Sequence, residues 1–526
     1  MRQIKTLSAV VAILLAGAAA RAQSSVSFAN YVALGDSVTA GWESGCLVAR
    51  HQLQSYPAVL ARQMGHVVAG SGDSDLTHFQ QPLVSEPGLL QPCYSLVYDA
   101  QTGSLGVDFH EGEPGGQPLN ALLPRPYNNL AIPGAHSYDL LDNTTSTGAD
   151  VYSLVLRNFP GSPFHGTNAV MQAIAEEPTF LTVWIGNNDV LDALGSATAI
   201  SASCGAINHD PDGVCDGITL TPLAVFTAKY AEVLQTLHAA LPNTTILVVN
   251  VPDVTALPFA TTLPPVVIDP ASLQPILDPG GHPIPLIGRR HDGSAGPIPA
   301  DTLVTLGAAS LEAQGMGIPC AIFPPGHALP LCDMPLPDGS VTAQGLSSGV
   351  LLYADEGALL KQRTHDLNAA IAAAAAGIGA PVVDAFSIYG DIHANGRLYG
   401  GLEITSDFLT GGMFSYDGVH PSNVGYAVVA DEFVKRINAT YDSSLPRPNV
   451  YAAMFQPDVP AASSSTGAAA RPSRRLGLAP QPLSIYPLAV WQSVLDAFGP
   501  VAPGLRVIPV REIARPGNAT AVSGRR

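Results

Sequence analysis

Gly35-Asp36-Ser37 closes the apolar run Tyr31-Val32-Ala33-Leu34. A serine hydroxyl is a poor nucleophile until a base takes its proton. It also needs exposure, which a glycine turn from strand into helix supplies. At the positive end of that helix, the Ser37 N–H can face a developing oxyanion. By itself the tripeptide is equally an ordinary turn with Ser37 as helix N-cap. Far down the chain stands Asp417-Gly418-Val419-His420-Pro421. An aspartate three residues before a histidine on a turn can hold one ring nitrogen and leave the other facing outward. That is the orienter-and-base pair a serine nucleophile requires. Pro421 suits the first position of a following helix.

Two further segments offer neutral donors. In Gly186-Asn187-Asn188-Asp189, the Asn188 amide is a fixed N–H donor of the kind that stabilises an oxyanion. Gly186 allows close backbone approach, and Asp36 and Asp189 are supporting polar residues. In Ala131-Ile132-Pro133-Gly134-Ala135, Gly134 offers a backbone N–H in a turn.

The elements around these segments must bring them together. Short apolar runs at Phe28 to Leu34, Asn129 to Ile132, Phe180 to Ile185, Thr245 to Val251 and Pro381 to Phe386 read as strands. Helical stretches are expected near Tyr56 to Met64, Pro222 to Ala240, Ala300 to Gln314, Ala354 to Ala376 and Pro421 to Asn438. Strands alternating with helices indicate an α/β fold with a parallel sheet covered on both faces. Such sheets gather their ligands at the carboxyl ends of the strands. Ser37, Gly134 and Asn188 each follow a different expected strand.

With these four segments in this order, the sequence resembles the SGNH/GDSL hydrolases. Gly35-Asp36-Ser37 is similar to the first block, although Val38 stands where the family name has Leu. Gly134 is similar to the second, Gly186-Asn187-Asn188-Asp189 to the third, and Asp417-x-x-His420-Pro421 with Gly425-Tyr426 to the last. The resemblance implies a three-layer α/β/α, flavodoxin-like fold around a five-stranded parallel sheet. It implies ester hydrolysis through an acyl-enzyme, with Ser37 as nucleophile, His420 as base and then acid, and Asp417 as orienter. Ser37 N–H, Gly134 N–H and the Asn188 amide would hold the oxyanion, and no cofactor is needed. The implied substrate is a small-molecule or lipid ester of the carboxylesterase or lipase type. An O-acetyl esterase acting on carbohydrate is the alternative within the class. An inactive scaffold used for surface binding is the alternative outside it.

Composition sets the frame. Of 526 residues, 47% are hydrophobic and 13% charged, enough to bury a sizeable core. Gly and Pro number 51 and 46, which fits a regular core carrying long loops, here expected at about 66–126 and 256–350. A net charge of -18 disfavours nucleic-acid binding. Residues 1–22, with Arg2 and Lys5 before an apolar stretch and Ala20-Arg21-Ala22 at its end, read as a cleaved signal peptide and not a stable membrane insertion. This makes the protein secreted or periplasmic, with the hydrolase domain expected over 23–442 and a Pro/Ser/Ala-rich extension over 443–526. An even cysteine count on an exported chain points to disulfides. Sequential pairing is favoured: Cys46 with Cys93, Cys204 with Cys215, and Cys320 with Cys332. Zinc is disfavoured, since Cys-x-x-Cys is absent. Asp210, Asp212 and Asp216 resemble the start of a calcium loop but lack its closing Glu. A solvated acidic turn beside Cys204 and Cys215 is the reading preferred.

Overall fold

The computed structural model describes residues 26–453 and the pair 506–507, apart from 90, 100–103, 111, 143–150, 210–211, 271, 324–325, 327 and 334–344. Its centre is a parallel sheet of β1 (Tyr31–Gly35), β2 (Phe180–Trp184), β3 (Thr245–Val249) and β4 (Val382–Val383), in that spatial order. Tyr31 pairs with Phe180, Phe180 with Thr245, and Val248 with Val382. β1 and β2 are buried at every residue. Strands covered on both faces have no solvent side, so they read as unbroken apolar runs. Thr182 is the polar exception, and its hydroxyl is 2.9 Å from the Tyr31 hydroxyl.

The sheet has four strands where the sequence predicts five. Asn129 to Ile132 does run along the outer edge of β1. Ala33 N–H donates to Asn128 O (2.8 Å), Leu130 N–H to Ala33 O and Ile132 N–H to Gly35 O (both 2.9 Å). Regular pairing stops at the single bridge between Ala33 and Asn129. The outward amides are diverted: Asn129 N–H goes to Gln80 O and Ala131 N–H to the Asn129 side chain. Pro133 has no N–H to offer. The segment therefore closes the sheet edge against further pairing. The strand expected over Pro381 to Phe386 shrinks to β4, because Asp384 already caps the next helix through Ser387 N–H.

The helices that matter here are α1 (Ser37–Ala40), α2 (Tyr56–Gln63), α3 (Val151–Leu156), α4 (Asn188–Gly195), α5 (Leu223–Ala240), α6 (Ala354–Gly377), α7 (Ala385–Asn395) and α8 (Asn423–Tyr441). α5 packs on α6, and α2 on α8. Trp184 at the end of β2 lies against Tyr56 of α2 and Phe433 of α8, with centroids 5.4 and 6.0 Å away. A fully buried Phe of this kind contributes about 1.5–3 kcal/mol. α6 begins at a capping box. The Glu356 carboxylate accepts from Tyr353 N–H at 3.2 Å and also from Ala199 and Ile200 N–H. One side chain thus starts the helix and ties it to the turn after α4. α8 starts later than expected. Ser422 is the cap, accepting from Gly425 N–H, so Pro421 precedes the helix instead of opening it.

The stretch over 256–350 has more structure than its composition predicts. Short antiparallel pairs join Ile268–Asp269 with Gln274–Leu277, Ile287–Arg289 with Ala295–Pro297, and Leu303–Val304 with Leu351–Leu352. Leu263, Val267, Leu286, Val304, Ile318 and Leu346 form a core separate from the main one. The helix expected near Ala300 to Gln314 is mostly absent. Leu303–Val304 is drawn into a strand pair and only Ala309–Glu312 is α-helical, because tertiary pairing outweighs weak local propensity. Within 66–126, Ser95–Asp99 and Ser104–Asp108 form a hairpin. Arg506–Val507 adds an edge strand to Gln274–Leu277. The leader over 1–22 and most of the extension over 443–526 lie outside the described residues. Among the described residues no helix is long and apolar enough to cross a membrane.

Candidate active site

β1 delivers Ser37 through a turn that only glycine fits. A Cβ on Gly35 would collide with the Thr39 hydroxyl and the Trp184 carbonyl. Asp36 caps α1, accepting from Val38 N–H at 3.2 Å, so Ser37 is the first helical residue and not its cap. The other Asp36 oxygen accepts from Asn187 Nδ2 at 2.8 Å. Burial pushes the Asp36 carboxyl up to about 7, against the pull of these two donors. Ser37 keeps 7% of its surface exposed.

The turn before α8 brings the second group. His420 Nε2 is 2.8 Å from Ser37 Oγ, and His420 Nδ1 is 2.9 Å from Asp417 Oδ2. Asp417 is heavily solvated by the protein. Its Oδ1 accepts from Val419 N–H and His420 N–H, both at 2.9 Å, and from Ser415 Oγ at 3.0 Å. Its Oδ2 also accepts from Gly45 N–H at 3.0 Å. Burial alone would raise this carboxyl, but His420 and the backbone donors bring it down to about 2. A carboxylate so held stays ionised and fixes the ring it faces. Gly418 turns at φ 71°, and its carbonyl accepts from Phe259 N–H at 2.9 Å. Tyr426 donates to Trp42 O at 2.5 Å, and the Trp42 ring lies 6.2 Å from that of His420. α8 therefore holds both the histidine turn and the loop after Ser37.

The remaining expected site residues follow the edge segment at Asn129 to Ile132 and the end of β2. Gly134 sits at φ 80°, and the space where a Cβ would point is open. Left-handed backbone favours glycine, and here it exposes the amide. Asn188 opens α4, and its Nδ2 donates to Ala135 O at 2.8 Å. An amide carries two hydrogens, so the second remains for another acceptor. Asp189 accepts from Ser137 N–H and Ser137 Oγ, each at 2.9 Å; burial raises its carboxyl. Asn188 and Asp189 thus grip the turn after Gly134 at two points. Gly186, at φ 119°, packs where a Cβ would press on Phe226 and Val251.

Ser37, His420 and Asp417 lie in one hydrogen-bonded line; Asp36 is tied to Asn187 beside Gly186, and Asn188 and Asp189 to the turn after Gly134. Sequence reasoning missed Ser415, Gly45, Asn187 and His136. The His136 ring lies between Asp139 (3.3 Å) and Asp192 (3.1 Å). Burial would lower its pKa, but those carboxylates raise it to about 10, which puts a cation two residues from Gly134. Its one sequence signal is Asp139 three residues on. Gly45 was signalled only by its neighbour Cys46.

The cysteines pair as favoured: Cys46–Cys93, Cys204–Cys215 and Cys320–Cys332. Asp216 pairs with Arg363 at 2.7 Å and Asp212 accepts from Val214 N–H at 2.8 Å, while Asp210 lies outside the described residues. Among the described residues no group of three or more His, Cys, Asp or Glu side chains is placed to hold a metal ion.

The family model GDSL-like Lipase/Acylhydrolase matches residues 31–433. The chain belongs to this family and is an ester-bond hydrolase. Among solved structures, it is similar to the lipase/acylhydrolase from Enterococcus faecalis. The two are 10% identical, with 78% of this chain and 96% of that one covered and a TM-score of 0.27. It is also similar to a GDSL-like lipase from Parabacteroides merdae, at 11% identity, 78% and 97% coverage and a TM-score of 0.28. No curated protein matches the chain.

Proposed function

We propose that the protein is a secreted carboxylesterase or lipase in which Ser37, His420 and Asp417 act as a triad. The observation that carries the reading is the unbroken line from Asp417 Oδ2 through the His420 ring to Ser37 Oγ, at 2.9 and 2.8 Å. Ser37 Oγ attacks the ester carbonyl carbon while its proton passes to His420 Nε2. Asp417 stays ionised and stabilises the imidazolium that forms. The carbonyl oxygen becomes an oxyanion held by the N–H groups of Ser37 and Gly134 and the free hydrogen of the Asn188 amide. Collapse expels the alkoxide, which takes the proton from His420, and leaves an acyl-serine. A water then loses its proton to His420 and attacks that ester; on collapse the acid is released and His420 returns the proton to Ser37 Oγ.

Export rests on the leader-like residues 1–22 and the three disulfides, which persist in oxidising compartments. The hydrolase unit is read as 23–442, with 443–526 as an extension. The test of the chemistry is direct. Ser37→Ala should lower hydrolysis of a p-nitrophenyl acyl ester by about three or more orders of magnitude, with an unchanged circular dichroism spectrum. A fluorophosphonate should label the wild type at Ser37. Turnover by Ser37→Ala at the wild-type rate would remove Ser37 from the mechanism.

A further inference from the structure

Gly134 carries its amide in a turn that glycine alone cannot hold still. At φ 80°, with open space where a Cβ would point, it has no side chain to pack, and its backbone is free to take several conformations. An oxyanion donor works only if it stays within about 0.5 Å of its place. The three residues after Gly134 supply that restraint, and α4 binds each of them. Ala135 O accepts from Asn188 Nδ2 at 2.8 Å, and Ser137 N–H and Oγ both donate to Asp189 at 2.9 Å. Between them, His136 Nε2 lies 3.1 Å from Asp192 Oδ2. Asn188 and Asp192 are four residues apart and so share one face of α4.

The His136 ring is also fixed within its own turn. Asp139 Oδ2 accepts from His136 N–H at 2.8 Å and lies 3.3 Å from Nδ1. The Tyr138 ring stacks on the imidazole, with centroids 5.1 Å apart and planes 7° from parallel. Both ring nitrogens thus face carboxylates, and only the imidazolium can donate to both. Burial opposes that charge, and Asp139, Asp192 and Asp189 overcome it. The pair is partly wet: the His136 side chain is 21% exposed and that of Asp192 48%. Ion pairs in such surroundings add little to stability. What this one supplies is geometry. It fastens the second residue after Gly134 to the helix that Asn188 opens, so both oxyanion donors share one rigid frame.

We propose that His136, through its bridge to Asp192, is a positioning residue that keeps the Gly134 N–H in register with the Asn188 amide for the oxyanion. The proposal rests on the reading of Ser37 as nucleophile and Gly134 as donor. His136 acts through the backbone of the turn. Without the bridge the turn keeps its contacts to Asn188 and Asp189, but the residue between them is released from α4.

The test measures kcat and KM for p-nitrophenyl acetate on the full chain, with each rate divided by the fraction of Ser37 that a fluorophosphonate labels at completion. His136→Ala should lower kcat per labelled site by about tenfold to a hundredfold, the loss expected when a reacting group is displaced by up to about 1 Å. KM should stay within about twofold. Asp192→Ala, a change at a half-exposed side chain, should reproduce that loss. The double variant should be no worse than either single one, because both remove the same bridge. His136→Gln keeps an amide donor for Asp192 and should recover most of the lost kcat. Melting temperatures should move by no more than about 4 °C, as for a partly exposed pair. A wild-type kcat per labelled site in His136→Ala, or losses that multiply in the double variant, overturns the proposal. Absence of fluorophosphonate labelling in the wild type would instead remove Ser37 as nucleophile, so the two failures are distinct.

Discussion

At the scale of single residues, the site is built from side chains that each serve two partners. Asn188 illustrates the design: one amide hydrogen anchors Ala135 O at 2.8 Å, which orients the other. Asn188→Ala should therefore lower kcat by about 10²–10³ as a lost oxyanion donor does, with KM little changed. Steady-state kinetics on a neutral ester measures it, and a loss confined to KM would point to ground-state binding instead. Asp36 has a comparable double role, capping α1 and receiving Asn187. Its raised pKa means that the folded state prefers it protonated, so its contribution to stability falls as pH rises through about 7. Asp417 has the opposite sign: held down to about 2, it stabilises the fold above the ordinary carboxylate range and loses that contribution as pH falls toward 2.

At the scale of elements, the loops after the strands are held by disulfides and by a second small core. Cys46–Cys93 closes a separation of 47 residues and adjoins Gly45, whose N–H binds Asp417. Replacing both cysteines with serine should cost about 4 kcal/mol from loop entropy and also lower kcat, because Gly45 is freed. The same exchange at Cys204 and Cys215, whose separation is 11, should lower the melting temperature with kcat intact. Equal kcat in both double variants would show that Gly45 needs no such tether. The core within 256–350 carries its own pH sensitivity. Glu312 is 5% exposed, its Oε1 has no hydrogen-bond partner, and burial pushes its carboxyl up to about 8. A raised carboxyl pKa favours the protonated fold, so stability is lost as pH rises through about 8. Glu312→Gln should flatten that loss, gaining on the order of a few kcal/mol above pH 8. Parallel melting curves of both proteins from pH 6 to 10 would deny this prediction.

At the scale of the whole molecule, one sheet edge gathers groups separated by nearly four hundred residues in sequence: Ser37 and His420 meet across 383 positions. The insertions do not interrupt this edge, because each leaves and returns at a strand or helix end. Phe259 at the start of the 256–350 stretch even contacts Gly418, so that unit helps support the His420 turn. The export reading belongs at this scale too. Protein recovered from the medium or periplasm should begin at Gln23, as N-terminal sequencing would show. It should also carry no titratable thiol until denatured and reduced, since all six cysteines are paired. A cytoplasmic product retaining Met1 would contradict the reading.

The sequence by itself determined the reaction class. Ser37, Asp417 and His420 lie in short local patterns that are weak singly, and it is their order along the chain together with the Gly134 and Asn188 segments that carries the resemblance to an ester hydrolase. It also determined the long elements: β1 to β3 because burial on two faces leaves a continuous apolar run, and α5 and α6 because their buried residues recur at helical spacing on one face. Only the tertiary structure decided what depends on partners distant in sequence. The segment at Asn129 stays an edge and not a fifth strand because Gln80 and its own side chain claim its outward amides. Pro421 gives way to Ser422 as the start of α8 because a side-chain cap sets where the helix begins. Ser415, Gly45 and Asn187 enter the site through single hydrogen bonds to Asp417 and Asp36, and such bonds have no spacing that a sequence can display.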